Sequence, residues 1–176
     1  ADRIPIAVLP LTNLTGDASK SHITDGFTDH LTTEIARNKL LSVLSRTTAF
    51  QYREPADISA VGRKLGVRYI LEGSLQQAED RLRVNVQLID AERGGHIWAE
   101  NYDRVITDLF TTEQQIVSTI AAELRPQLYN AAVRELRGKP IEQLEAWQLF
   151  LLSTWTPGEA INSYQWEKQR VEYAEM

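Results

Sequence analysis

Cysteine is absent from this chain of 176 residues, and its absence excludes three kinds of chemistry. Without cysteine there can be no disulfide, no thiolate nucleophile and no metal centre with thiolate ligands. A chain without cysteine is compatible with both the cytoplasm and the periplasm, because neither compartment requires the residue. The compartment is therefore left open by this feature.

A net positive charge is also absent, because 19 Lys and Arg residues stand against 24 Asp and Glu residues and give a formal net charge of −5. Attraction to phosphates supplies most of the non-specific affinity of proteins for nucleic acids, so we expect no nucleic acid contact by this segment. Long apolar runs are missing as well, since no stretch approaches the roughly 20 residues that span a bilayer. The amino terminus does not resemble a secretory signal, and we expect no membrane contact by this segment.

What is present predicts one globular domain with an appendage, given the chain length and a hydrophobic content of 43%. The run Ile4–Leu11 is almost continuously apolar and predicts a central strand covered on both faces. Apolar residues four positions apart then predict an amphipathic helix. They are Ile23, Phe27, Leu31 and Ile35. A second strand is expected at Leu41–Leu44, and a second helix between Asp57 as N-cap and Gly66 as its end.

From Val67 onward the apolar period changes to two, which predicts strands. Turns at residues 79–80 and 94–95 divide this region into a three-stranded meander. Gly73 lies inside the first of these strands, where we expect a bulge. Alternation places four residues of the last strand on one face, and we expect its aromatic members to pack beneath a helix rather than to form a partner surface. The four are His96, Trp98, Glu100 and Tyr102.

Helical patterns fill the remainder of the chain. A long helix begins at Asp108 and is expected to bend or divide at Pro126. Further helices are predicted at 141–155 and 160–176, separated by a Pro-Gly turn. The predicted fold is α/β with a mixed sheet, a βαβαβββ core and a long C-terminal helix followed by an α-helical hairpin. The domains are predicted as 1–138 for the α/β part and 139–176 for the helical segment.

Five blocks of sequence, in order, carry a resemblance to a known family. They are IAVLPLTNLTGD (6–17), ITDGFTDHLTTEIAR (23–37), VGRKLGVRYILEGSL (61–75), RLRVNVQLIDAERGGHIWAENYDR (81–104) and DLFTTEQQIVSTIA (108–121). The chain resembles the TolB amino-terminal-like domain of bacterial signalling proteins over about residues 4–150. That resemblance implies an output domain upstream, usually an adenylate/guanylate cyclase and sometimes a winged-helix DNA-binding domain. It also implies a tetratricopeptide array downstream, of which 139–176 would be the truncated start.

Acidic residues and histidines on the first predicted helix raise the question of catalysis or metal binding. His22, Asp25 and Asp29 share one helical face and His30 lies beside them. We favour a solvated helical face, since no nucleophile or oxyanion motif is close in sequence. A small hydrolase using Asp25, Asp29 and His30 is the remoter alternative. No catalytic residue, cofactor or metal is predicted.

A ligand or partner site is predicted at the loop that leaves the first strand, because open α/β sheets place ligands there. Its candidate residues are Asn13, Thr15, Gly16, Asp17, Asp25 and Glu72. The competing interpretation, which we favour, is that the loop residues only form the turn and cap. A possible interface lies on the strongly apolar helix at 141–155, with candidate residues Leu144, Trp147, Phe150, Leu151 and Trp155.

Taken together, the sequence predicts a non-catalytic sensory or interaction module of a longer bacterial signalling protein. Its expected partners are its own upstream output domain, its downstream repeats, a protein bound by those repeats and a second copy of itself. With a cyclase or a DNA-binding output the expected compartment is the cytoplasm. The periplasm is the alternative if the parent protein carries a membrane anchor.

Overall fold

One mixed sheet organises the fold in a computed structural model that describes residues 3–155. The strands are β1 (Ile4–Val8), β2 (Thr12–Asn13), β3 (Leu41–Val43), β4 (Tyr69–Ala78), β5 (Arg81–Asp90) and β6 (Gly95–Val105). The helices are α1 (Ser21–Ala36), α2 (Arg46–Ala49), α3 (Ile58–Leu65), α4 (Leu109–Leu136) and α5 (Ala146–Thr154). The mixed α/β fold with a long C-terminal helix is confirmed, with β2 and α2 as additions. The helix predicted at 160–176 lies outside the described residues.

The sheet combines a parallel and an antiparallel part in the order β3-β1-β4-β5-β6. β1 is parallel to both of its neighbours, while β4, β5 and β6 form the predicted antiparallel meander. β2 pairs in parallel with β4 beyond the end of β1. Burial of β1 between two parallel neighbours explains its continuous apolar sequence.

The first predicted strand is shorter than expected. It stops at Val8, although the Leu9 N–H still donates to the Leu71 carbonyl of β4 at 2.9 Å, and pairing resumes at β2 after Pro10, which has no N–H to donate. Between the two strands, the Leu11 N–H donates to the buried Thr28 hydroxyl on α1 at 3.1 Å. A side chain of the neighbouring helix thus satisfies the backbone where the sheet is interrupted.

Helix caps follow the sequence closely. Asp57 accepts a hydrogen bond from the Ala60 N–H, and Gly66 ends α3 in the left-handed conformation with φ of 66°, both as predicted. α4 is one helix that continues through Pro126, which is one of the two outcomes expected there. α5 differs from expectation, because it begins only at Ala146, where Glu145 forms a capping box.

The irregularity of the meander lies at a different position from the predicted one. The predicted bulge at Gly73 is wrong, because β4 pairs with β5 without interruption and Gly73 faces Val86. The register shift lies instead between Leu88 and Ile89, opposite Ile97 of β6. His96 therefore pairs with Ile89 while Trp98 pairs with Leu88, and the predicted common face of His96 and Trp98 is interrupted.

The two faces of the sheet are covered unequally. α1 and α4 pack on one face over the main hydrophobic cluster, which includes Phe27, Leu31, Ile116 and Ile120. α3 packs on the other face over a much smaller cluster around Ala7 and Ile70. Beyond α3, the second face of β4 and β5 carries half-buried polar side chains in place of apolar ones. This uncovered polar area leads to the candidate site.

Candidate functional site

The loop between β2 and α1 is held by its own polar side chains. Asn13 Oδ1 accepts hydrogen bonds from the N–H and hydroxyl of Thr15, at 3.0 and 2.7 Å. Asp17 accepts from the hydroxyl and N–H of Ser19, and these bonds lower the pKa of Asp17. Gly16 adopts a left-handed φ of 78°. Asn13, Thr15, Gly16 and Asp17 thus form the turn and cap that the sequence suggested.

This loop forms one wall of a groove of about 360 Å³, which we call the helix groove. Its lining includes Asn13, Asp17, Ser21, Thr24, Asp25 and Arg53. Arg53 donates two hydrogen bonds to the Asp25 carboxylate, at 2.9 and 2.8 Å, and links the segment after α2 to α1. This link raises the pKa of Arg53, chiefly through the hydrogen bond to Asp25.

One polar group of the helix groove has no partner. Thr24 is 1% exposed, and its hydroxyl oxygen is buried without a hydrogen bond. Leaving a hydroxyl buried and unpaired costs about 1–3 kcal/mol, so such groups are rare in folded proteins. A ligand atom in the groove that paired with this hydroxyl would recover that free energy.

A second groove, which we call the sheet groove, lies on the uncovered polar area and has a volume of about 540 Å³. Two cross-strand pairs connect its polar side chains: Gln87 donates to Glu72 at 2.6 Å, and Asn85 donates to Ser74 at 3.0 Å. The two grooves adjoin, since Pro10, Thr12 and Glu54 line both. Glu72 lines the sheet groove, and Asp25 lines the adjoining helix groove.

The alternative catalytic group is not assembled. Asp25 is paired with Arg53, Asp29 lies 3.4 Å from Arg46, and His30 Nδ1 lies 3.1 Å from Glu113 on α4. His22 Nδ1 lies 2.7 Å from the Ser19 carbonyl oxygen. Each side chain therefore has a separate partner. Within residues 3–155 no group of three or more His, Asp or Glu side chains could hold a metal ion.

The aromatic residues of β6 occupy the positions expected of packing residues. Tyr102 is 4% exposed, and its hydroxyl donates to Glu123 on α4. Burial first, and then this hydrogen bond, raises the pKa of Tyr102 above its usual range. Trp98 packs against the same cluster. The interpretation of these two side chains as covered by a helix is therefore correct.

The predicted interface residues on and around α5 have different surroundings. Leu151 is fully buried in the main cluster, and Leu144 and Trp147 pack against it. Trp155 meets the Tyr129 ring edge-on at 5.0 Å and donates its indole N–H to Asn130 at 2.7 Å. Phe150 is 54% exposed. Among these five residues, Phe150 is the one that projects most of its side chain into solvent.

Sequence reasoning missed Thr24, Arg53 and Glu54 as groove residues. Thr24 faces inward from α1 among apolar neighbours, and nothing in its spacing distinguishes it. Arg53 and Glu54 follow α2, a helix that the sequence did not predict, and Glu54 adopts a left-handed φ of 47° that is uncommon for a residue with a side chain. Phe110, 79% exposed, was likewise not singled out.

Fold and grooves together define a mixed α/β domain with two adjoining surface grooves. Comparison with known families shows which family this domain belongs to. Residues 2–129 match the family described as HilA/YgeH-like transcriptional regulator, second domain. The chain belongs to this family.

A curated relative is the Rhizobium meliloti (strain 1021) protein named "Putative adenylate cyclase 3". It is 42% identical over 137 residues, which make up 76% of this chain and 23% of the relative. The chain thus spans about a quarter of the protein that it matches. More than three quarters of the relative has no counterpart in the chain.

A solved structure supports the fold. Lipoprotein GNA1162 from Neisseria meningitidis aligns with a TM-score of 0.51 at 12% identity, over 69% of this chain and 96% of that one. TolB from Acinetobacter baumannii aligns with a TM-score of 0.47 at 16% identity, over 68% of this chain and 28% of that one. Within residues 3–155, no helix has the length and apolar character to cross a membrane.

Proposed function

We propose that this chain is a non-catalytic sensory and interaction module that regulates an adenylate/guanylate cyclase output domain located upstream in a bacterial signalling protein. The observation that carries the proposal is the pair of adjoining grooves, one of them lined by Thr24, whose buried hydroxyl has no partner. The name of the 42% identical relative supports a cyclase as the output. The expected compartment is then the cytoplasm, with the periplasm as the alternative for a membrane-anchored parent.

The grooves offer a route from binding to regulation. The helix groove is bounded by the loop before α1, by α1 itself and by the segment after α2, which the Arg53–Asp25 pair joins to α1. A ligand held by these walls would favour their closed arrangement. It could change the output only to the extent of its different affinity for the two arrangements.

A thermal-shift screen of the 176-residue chain against bacterial metabolites tests the proposal. A ligand at 100 times its dissociation constant should stabilise the fold by about 2.7 kcal/mol. Thr24→Val should remove the response without loss of stability, because the lost hydroxyl has no partner. Thr33→Val is the matched control, since the Thr33 hydroxyl is exposed and bonds only to the Asp29 carbonyl of its own helix. A response unchanged by Thr24→Val would place the ligand elsewhere.

A second candidate output is a winged-helix DNA-binding domain, favoured by the description of the family as transcriptional regulators. The sequence that precedes residue 1 in the parent gene distinguishes the two. Metal-binding aspartates of a cyclase catalytic domain would support the first, and a basic recognition helix the second.

The downstream part is proposed to open a tetratricopeptide array that binds a protein partner, with Phe150 on the accessible side of α5. The remoter hydrolase alternative is tested by assaying the chain against nucleotide and ester substrates. Activity lost in Asp29→Ala would overturn the non-catalytic proposal.

A further inference from the structure

The strand β6 forms a long open edge of the sheet. Among the described residues β6 pairs with β5 alone, over the length of Gly95–Val105. The opposite edge, β3, has only three residues. An open edge presents a row of unpaired N–H and C=O groups, which another strand can bind.

Two outward backbone groups of this edge are occupied by side chains of β6 itself. The Asn101 N–H donates to Glu100 Oε1 at 3.3 Å, and the Asp103 carbonyl accepts from Arg104 at 2.8 Å. Alternate residues of an antiparallel strand direct their backbone groups to the same side. Ile106, of the other parity, donates inward to the turn at Asp80. The backbone N–H and C=O groups of Asn101 and Asp103 therefore point away from β5.

Symmetry restricts how two copies of such an edge can pair. In a two-fold dimer of antiparallel strands, residues of like parity face each other, and every contact occurs twice. An axis at Glu100 or at Asp103 would place two like charges opposite each other. An axis at Tyr102 instead places Glu100 opposite Arg104, Asn101 opposite Asp103, and Ala99 opposite Val105, which is 55% exposed.

We propose that two copies of this chain pair through their β6 edges with Tyr102 on the two-fold axis. In this register the Asn101 N–H donates to the carbonyl of Asp103 of the partner subunit. Both groups are the ones now held by local side chains, so Glu100 and Arg104 are released as the strands meet. Glu100 then pairs with Arg104 of the partner subunit, and the two six-stranded sheets become continuous.

The dimer itself is inferred from the β6 edge, and only its role rests on the proposed function. That role is to bring two attached output domains together. Sedimentation equilibrium of the 176-residue chain measures it directly. Glu100→Arg and Arg104→Glu should each raise the dimer dissociation constant by at least about tenfold, because each creates two like-charge contacts. The double variant Glu100→Arg/Arg104→Glu should restore wild-type association, since the pairs are merely exchanged.

Arg63→Glu is the control, because it changes the net charge by the same amount on exposed α3. Circular dichroism of every variant verifies folding. A wild-type chain that stays monomeric, single variants that associate like the wild type, or a double variant that fails to recover would each overturn the proposal. The thermal-shift response to a groove ligand, measured on Arg104→Glu, reports on the proposed function separately, because Arg104 lines neither groove, whereas Glu100 lines the sheet groove.

Discussion

Replacement of Gly73 by alanine should destabilise the domain strongly, although alanine is usually the better residue. Gly73 faces Val86 across the β4–β5 ladder, and a Cβ at this position would overlap the carbonyl oxygen of Asn85. It would also lie 3.0 Å from the Asn85 carbonyl carbon and 2.8 Å from Leu11 Cδ2. The Leu11 side chain can move, but the Asn85 carbonyl belongs to the paired backbone of β5.

The magnitude follows from these contacts. Overpacking a rigid site costs about 1–3 kcal/mol, and a displaced ladder hydrogen bond adds about 1 kcal/mol. Alanine also lowers the conformational entropy of the unfolded chain, which offsets roughly 0.4–1 kcal/mol of this loss of stability. We therefore expect Gly73→Ala to lower the free energy of unfolding by about 1–3.5 kcal/mol, measured by urea denaturation followed by circular dichroism.

Gly26→Ala is the matched comparison. Gly26 lies on the exposed side of α1, and a Cβ there would meet nothing within 4 Å. Alanine is favoured over glycine in a helix by about 1 kcal/mol, so this variant should be more stable than the wild type. If Gly73→Ala were as stable as Gly26→Ala, the close approach of β4 and β5 at this position would be refuted.

Three further substitutions test the interior. Arg68→Gln should lower the free energy of unfolding by about 1–3 kcal/mol in urea, because the Asp90 side chain, 11% exposed, loses its guanidinium partner at 2.9 Å. Arg83→Gln should change it little, because the Arg83–Asp103 pair lies at the surface, with the Arg83 side chain 55% exposed. Burial raises the pKa of Tyr69 to about 12, so folding stability should fall by about 2 kcal/mol from pH 10 to 12 as the unfolded state loses its proton first. Tyr69→Phe should flatten that fall in urea titrations at each pH, and an unchanged slope would contradict the assignment. Leu151→Ala should cost about 2–5 kcal/mol within a single thermal transition, whereas a separate transition would favour the predicted boundary after residue 138.

Local patterns predicted the elements whose signals are complete within a few residues. The caps at Asp57 and Gly66 are found where they were expected, because a side-chain acceptor and a left-handed glycine act within one helical turn. The meander followed from its period of two. The candidate loop at Asn13–Asp17 was also located from its turn chemistry, although the helix groove that it borders was not.

Where sequence reasoning failed, the deciding contact lay far along the chain. Gly73 has the same local pattern whether it forms a bulge or a close approach, and only the position of the Asn85 carbonyl distinguishes them. Local pattern likewise does not specify that Leu151 is buried in the main cluster together with residues far earlier in the chain.

The sequence by itself determined the class of this protein: an α/β domain without cysteine chemistry, with a polar loop after its first strand and with blocks typical of a regulatory module. The tertiary structure alone decided what adjoins that loop. It brought Arg53 to Asp25, left the Thr24 hydroxyl buried without a partner, and exposed the edge of β6. The physical reason is that helix and strand propensities act over a few residues, whereas grooves and open edges arise from which elements the packed core brings together and which it leaves uncovered.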